Sequence, residues 1–208
     1  MRLARRSSLV EFNQIVYLKH AEDPKMAKYR CRIFYSAPRA TTTTQQGLHV
    51  HVLYNEISSA PVTFQGARCA RAVGALKGLV TSTRDAMEAY LQASLKRKNS
   101  ARTFIALPQC FWPKEWGNKY TRPMVELDLA LFGHPEAGNI WENHAFSRLR
   151  KLGWKDAPEF PSVFKHADGS ILTCYVDDFE LQASLEATPK HWEEIAKHID
   201  SNDLGPFQ

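Results

Sequence analysis

Asp177 and Asp178 stand side by side in Tyr175-Val176-Asp177-Asp178, between the apolar and β-branched run Ser170-Ile171-Leu172-Thr173-Cys174 and the alternating Phe179-Glu180-Leu181. Two strands with paired carboxylates between them read as a hairpin tip. Such carboxylates either decorate a polar turn or, joined by a third acidic group, hold hard divalent cations. Asp85 offers that third group, because it ends Val80-Thr81-Ser82-Thr83-Arg84, which reads as a short strand. If the two strands adjoin in an antiparallel sheet backed by helices, three acidic oxygen donors meet at one edge. Two Mg²⁺ (or Mn²⁺) ions held there can activate a 3′-hydroxyl and stabilise a leaving pyrophosphate during in-line displacement. Carboxylates packed so closely repel, and a bound cation is what makes the cluster tolerable. Linear spacing does not reveal adjacency, so polar turn and metal site both stand open here.

The elements that must position these residues follow in order. Residues 1–27 lack periodicity and read as a basic, mobile N-terminal segment. Lys28 to Tyr35 alternates, with Arg30 and Arg32 on one face and Cys31 and Ile33 on the other. Leu48 to Tyr54 reads as a strand whose His49 and His51 share a face without a third ligand nearby, which suits structural or surface histidines. From Gly66 to Leu79, the spacing of Ala67, Ala70, Val73 and Leu76 predicts a helix packed on a sheet. Thr103 to Pro108 is extended, and the aromatic stretch Phe111 to Gly117 is a surface loop. Trp141, Ala145, Leu149 and Leu152 form one stripe of a helix. Asp168-Gly169 joins two apolar runs as a hairpin. Thr188-Pro189 opens a last helix to about Ile199, with Thr188 as N-cap.

The whole chain bounds these readings. Its 208 residues allow one large domain or two small ones, and 44% hydrophobic with 24% charged residues is an ordinary globular composition. There is no apolar run of membrane-spanning length and no secretory signal, so an intracellular protein (cytoplasm or nucleus) without a membrane partner is expected. Cys31, Cys69, Cys110 and Cys174 are scattered, which excludes zinc-finger spacing. The net charge of +5 is uneven: residues 1–40 hold nine Lys/Arg against three Asp/Glu, whereas from Lys155 onward there are four against eleven. A basic front half suits a polyanionic partner or is simply solvated surface.

From about Lys28 to Ile199 the chain resembles the polymerase region of copia-type retrotransposon reverse transcriptases. Four blocks carry the resemblance. Lys28-Tyr29-Arg30-Cys31-Arg32-Ile33 is similar to the family's fingers strand. Tyr54-Asn55-Glu56, Ala60-Pro61-Val62 and Arg68 resemble the stretch ahead of its first catalytic strand. Asp85-Ala86-Met87-Glu88-Ala89-Tyr90-Leu91 resembles the first acidic motif. Leu131-Phe132-Gly133 with Trp141, then Tyr175-Val176-Asp177-Asp178, resemble the remaining two. Each block alone is weak, but their order and spacing are specific.

The resemblance implies an α+β reverse-transcriptase palm, an antiparallel sheet backed by helices, with partial fingers. Residues 28–80 would be fingers-like and 81–208 palm-like, interleaved across a soft boundary. It implies that Asp85, Asp177 and Asp178 bind two Mg²⁺ (or Mn²⁺) ions and that Tyr90 lies beneath the incoming sugar, rejecting a 2′-hydroxyl. Arg30 and Arg32 would grip the triphosphate, with Arg30 standing where the family has Lys. Glu136 occupies the position of a nucleotide-contacting Gln, and a carboxylate there repels a triphosphate unless it turns away or binds metal. Gln92-Ala93 replaces the usual Asn-Gly. The chain stops at Gln208, so the thumb is expected to be missing.

The implied activity is RNA-directed DNA polymerisation, as part of a Pol polyprotein. Its partners would be an RNA or DNA template-primer and deoxynucleoside triphosphates. The alternative is a truncated, catalytically inactive remnant that binds nucleic acid or only folds. A cyclase-like enzyme on a related palm would leave the basic fingers strand unexplained.

Overall fold

The computed structural model describes residues 7–19, 25, 28–43, 49–51, 59–96, 102–117 and 119–206, with side chains described for residue 25 and, within 59–202, for the same ranges. The elements are β1 (Ser7–Lys19), β2 (Lys28–Thr43), β3 (His49–His51), α1 (Phe64–Leu76), β4 (Val80–Ala86), β5 (Arg102–Ala106), β6 (Met124–Glu126), α2 (Ala137–Lys151), β7 (Lys155–Asp156), β8 (Val163–Lys165), β9 (Ile171–Tyr175), β10 (Asp178–Ala183), α3 (Ala187–Ala196) and β11 (Ser201–Pro206). Short 3-10 turns at Ala89–Gln92, Gln109–Phe111 and Lys114–Trp116 complete the described residues. The protein is α+β, with mostly antiparallel sheets.

The chain divides into two discontinuous units. The first takes Met1–Asn55 and Ser94–Ala137, and its sheet runs β3-β2-β1-β5-β6. β1 pairs antiparallel with β2 and parallel with β5. The basic N-terminal segment therefore contains a strand, contrary to its aperiodic reading. β1 gains its place from backbone pairing on both edges, a contribution that side-chain period does not encode.

The second unit takes Glu56–Ala93 and Gly138–Gln208, around a sheet in the order β11-β4-β10-β9-β8-β7. This division keeps α1 with β4 and assigns residues 94–137 to the other unit. The two units interleave along the chain, and α1 buries its small face on the very sheet that β4 joins.

Helices cover both faces of this sheet rather than backing one. On one face, α1 sets Ala70 against Val163 and Ile171, with Val62 and Ala157 completing the cluster. Gly74 permits the close approach: a Cβ there would meet Gln182 Cγ at 2.8 Å. On the other face, Trp141, Leu149, Phe164, Leu172, Phe179, Leu181, Ile195 and Ile199 are fully buried, each worth about 1.5–3 kcal/mol when removed from water. That face holds the larger side chains and so the larger share of the core.

The helix starts depart from their sequence readings. α1 begins at Phe64, because Thr63 Oγ1 accepts the Gly66 N–H at 3.1 Å and so caps it. α3 begins at Ala187, with Ser184 Oγ accepting the Ala187 N–H at 3.2 Å. Thr188 is not the cap. Its hydroxyl lies within the first turn and donates to Ser184 O at 2.9 Å. α2 carries the stripe read from sequence, with Trp141, Ala145 and Leu149 buried.

Candidate functional site

β4, β10 and β9 are neighbours, and their register decides where the carboxylates fall. β10 pairs with β4 through Asp178↔Asp85, Phe179↔Arg84 and Glu180↔Thr83. Asp178 is therefore directly opposite Asp85, and opposed residues of a ladder project to the same face. Asp177 lies in the turn between Tyr175 and Asp178, themselves register partners across β9 and β10. The adjacency that spacing left open is thus present.

That turn is strained and doubly tied. Val176 has φ 57°, a region that β-branched residues rarely enter and that a two-residue hairpin turn usually gives to glycine. Holding it costs about 1–3 kcal/mol. The neighbouring structure meets that cost at both carbonyls. Trp141 Nε1 donates to Val176 O at 2.6 Å, and Ala86 N donates to Asp177 O at 2.7 Å. α2 and the end of β4 therefore hold Asp177 beside Asp85.

The electrostatics follow from this crowding. Burial raises the Asp178 carboxyl above the usual range, and the negative charges of Asp177 and Asp85 add to the shift. Tyr90, in the turn Ala89–Gln92, is half-buried, and its phenol is raised by burial, then by Asp177 and Glu142. Tyr90 thus sits within the field of the acidic edge. Glu142 on α2 was not singled out by any motif. It accepts the Ala60 N–H at 2.7 Å, and burial raises its carboxyl against that bond.

A cleft of about 630 Å³ opens beside Asp178, lined among others by Phe64, Ala67, Arg71, Tyr175 and Glu180. Phe64 and Tyr175 are exposed there, at 71% and 57%, and Arg68 stacks over the Phe64 ring at 4.0 Å. Arg71 is paired with Glu180, with Nε 2.7 Å from Oε1. The cleft thus carries a cationic, aromatic wall facing an acidic one.

The remaining predicted residues lie in the other unit. Glu136 is half-buried, and its backbone N–H donates to Nδ1 of the buried His134 at 3.2 Å. His134 Nε2 lies 3.3 Å from Thr103 Oγ1. Arg30 and Arg32 are backbone partners of Tyr17 and Ile15 in the β1–β2 ladder; their side chains, like those of His49 and His51, lie outside the described residues.

The acidic edge gathers hard oxygen donors of the kind that divalent cations take. Three carboxylates share it, two of them opposed in register, and burial together with the neighbouring charges raises one. Their oxygens do not converge as tightly as those of His166, Asp168 and His191, whose donor atoms all lie within 4.8 Å of one another. That second group was missed in the sequence. Its only local signal is His166-Ala167-Asp168, with the third member 23 residues on from Asp168.

Compared with known proteins, the chain matches no family model and no curated protein.

Proposed function

We propose that this chain is the fingers-and-palm core of an RNA-directed DNA polymerase of the copia type, adding deoxynucleotides to a primer 3′-hydroxyl. The observation that carries the reading is the pairing of Asp178 with Asp85, with Asp177 fixed in the adjoining turn. Asp85 and Asp177 are the proposed principal metal ligands, and Asp178 adds negative charge beside them. Bound there, two Mg²⁺ ions supply activation of the primer hydroxyl and neutralise charge at the phosphates. Trp141 and Ala86 keep Asp177 in place, so the carboxylate does not reorganise as substrate arrives. Tyr90 supplies a ring edge next to Asp177 that excludes a 2′-hydroxyl. The exposed Phe64 and Arg68 on α1 offer a base-stacking and phosphate-binding surface beside Asp178.

Primer extension with the purified chain tests this. Magnesium-dependent incorporation that is lost in Asp177→Asn is the expected result. Incorporation that survives Asp177→Asn would refute the assignment. A second reading, an inactive remnant, is favoured by Glu136, a carboxylate in the place of a nucleotide-contacting amide. It is supported if wild-type protein extends no primer yet retains salt-sensitive RNA binding.

A further inference from the structure

At the end of β9 away from the acidic turn, the β8–β9 loop and α3 bring a second polar group together. Five residues of strand separate the two ends, a distance of about 17 Å. Asp168 sits at the centre. Its Oδ2 is 2.7 Å from His191 Nε2, and its Oδ1 is 3.0 Å from His166 Nδ1. His191 is 5% exposed, and its Nε2 also lies 3.2 Å from Ser170 Oγ. The two imidazoles meet edge to face at 4.7 Å, and both pack on Trp154, at 5.1 and 5.0 Å.

A hydrogen-bonded brace between loop and helix would explain the His191–Asp168 contact alone. It does not explain His166. The Nδ1 atom is shielded from solvent and 3.0 Å from a carboxylate oxygen, but poorly aligned for a hydrogen bond to it. The His166 donor atom lies within 4.8 Å of those of Asp168 and His191. Ring nitrogens and a carboxylate around one point are what a metal ion requires. Asp168 is itself held from behind, with Oδ1 accepting the Ser170 N–H at 2.9 Å, the kind of support that orients metal ligands.

We propose that His166 Nδ1, one oxygen of Asp168 and His191 Nε2 form a binding site for a divalent transition metal of the Zn²⁺ class. Two imidazoles and one carboxylate suit such an ion, whereas Mg²⁺ prefers an all-oxygen shell. Zinc–ligand bonds of about 2.0–2.2 Å place tetrahedral donors roughly 3.3 Å apart, and the present donor atoms all lie within 4.8 Å of one another, so side-chain adjustment without movement of the backbone brings them round one ion. Three protein ligands leave a fourth position open, as in zinc sites that bind water or substrate. One of the three ligands borders open space: His166, with Gly169, Lys165, Lys77 and Phe160, lines part of a cleft of about 460 Å³ beside α1. The site is separate from the acidic edge and does not depend on the polymerase reading.

Calorimetric titration of the full chain with Zn²⁺ tests the proposal, with Mg²⁺ as the control. One Zn²⁺ per chain is expected, unaffected by Mg²⁺. The melting temperature should rise by about 5–10 °C when free Zn²⁺ is 100-fold above its dissociation constant. His166→Phe keeps a ring against Trp154 but removes a ligand, and should weaken binding on the order of 100-fold. Should that variant fail to fold, Co²⁺ bound to the wild type answers the question: intense tetrahedral d–d bands without thiolate charge transfer support the site and exclude Cys69 and Cys110. Absence of stoichiometric Zn²⁺, wild-type affinity in folded His166→Phe, or a thiolate or octahedral Co²⁺ spectrum overturns it.

Discussion

Replacing Asp178 by Asn should make the metal-free protein more stable while impairing the proposed activity. Asp178 and Asp85 are directly opposed in the β10–β4 ladder, where facing Cβ atoms are about 4.5–5.5 Å apart. With the charges taken as about 6 Å apart, Coulomb's law gives about 0.7 kcal/mol in water and about 2.8 kcal/mol at an effective dielectric of 20. Asp178 is an exposed residue, so solvent screening selects the lower end, about 1 kcal/mol. Asn matches Asp in size and leaves no cavity, which isolates the charge. At this chain length 1 kcal/mol corresponds to a melting shift of about 2–4 °C. Thermal denaturation in chelator at low salt should therefore show Asp178→Asn melting higher than wild type, with the gain shrinking as salt shortens the Debye length to about 3 Å at 1 M. Adding Mg²⁺ should stabilise the wild type more than the variant, because the cation relieves the same repulsion. A variant that melts at or below the wild-type temperature in low-salt chelator would show that the two carboxylates do not face each other, and the metal assignment would fall with that geometry.

Other expectations follow from neighbouring contacts. Trp141→Phe removes the donor to Val176 O, leaving a carbonyl unpaired beside a buried ring; urea denaturation should show a loss of about 1–3 kcal/mol. Gly74→Ala would gain about 1 kcal/mol at an open helical site. Here the new Cβ meets buried Gln182 Cγ at 2.8 Å, so the same measurement should show a loss of about 1–3 kcal/mol. His144 is held down to about 4 by burial, then by Arg148, so the unfolded chain takes up the proton first as pH falls. Its contribution is complete above pH 6.5 and disappears towards pH 4, about 1 kcal/mol once its half-buried setting is discounted. The difference in urea midpoint between wild type and His144→Gln should change across that window and be flat above it.

What the sequence made legible was local. The Asp168-Gly169 loop, the α2 stripe and the strand leading to Tyr175 each declare themselves within a dozen residues, through turn chemistry or period. The placement of β4 beside β10 does not, since nearly a hundred residues intervene, and only resemblance suggested it. β11 pairs with β4 through Asn202↔Asp85, yet nothing in Ser201–Pro206 alternates in a way that announces a strand. Backbone pairing supplies its reason to exist. The start of α3 differs because Thr188-Pro189 fits a helix start, while the helix in fact opens at Ala187 after Glu186, a residue that no capping pattern marks. His166, Asp168 and His191 escaped notice because a loop and a later helix each contribute too little alone.

The acidic edge is, in physical terms, a by-product of apolar register. Along β10, Phe179 and Leu181 are buried on the face that holds the larger side chains, and across β9 they oppose Cys174 and Leu172. Side chains alternate with a period of two, so this burial compels Asp178, Glu180 and Gln182 onto the other face. A slip of one residue would move two large apolar side chains out of the packed core to the α1 face, at up to about 1.5–3 kcal/mol each, and would turn Asp178 away from Asp85. That penalty exceeds the roughly 1 kcal/mol of screened repulsion between the carboxylates. The core therefore holds like charges together that would separate if left to electrostatics alone, and the strained Val176 turn is stabilised by the same packing through Trp141. The proposed chemistry at this edge consequently depends on Phe179 and Leu181 as much as on the aspartates themselves.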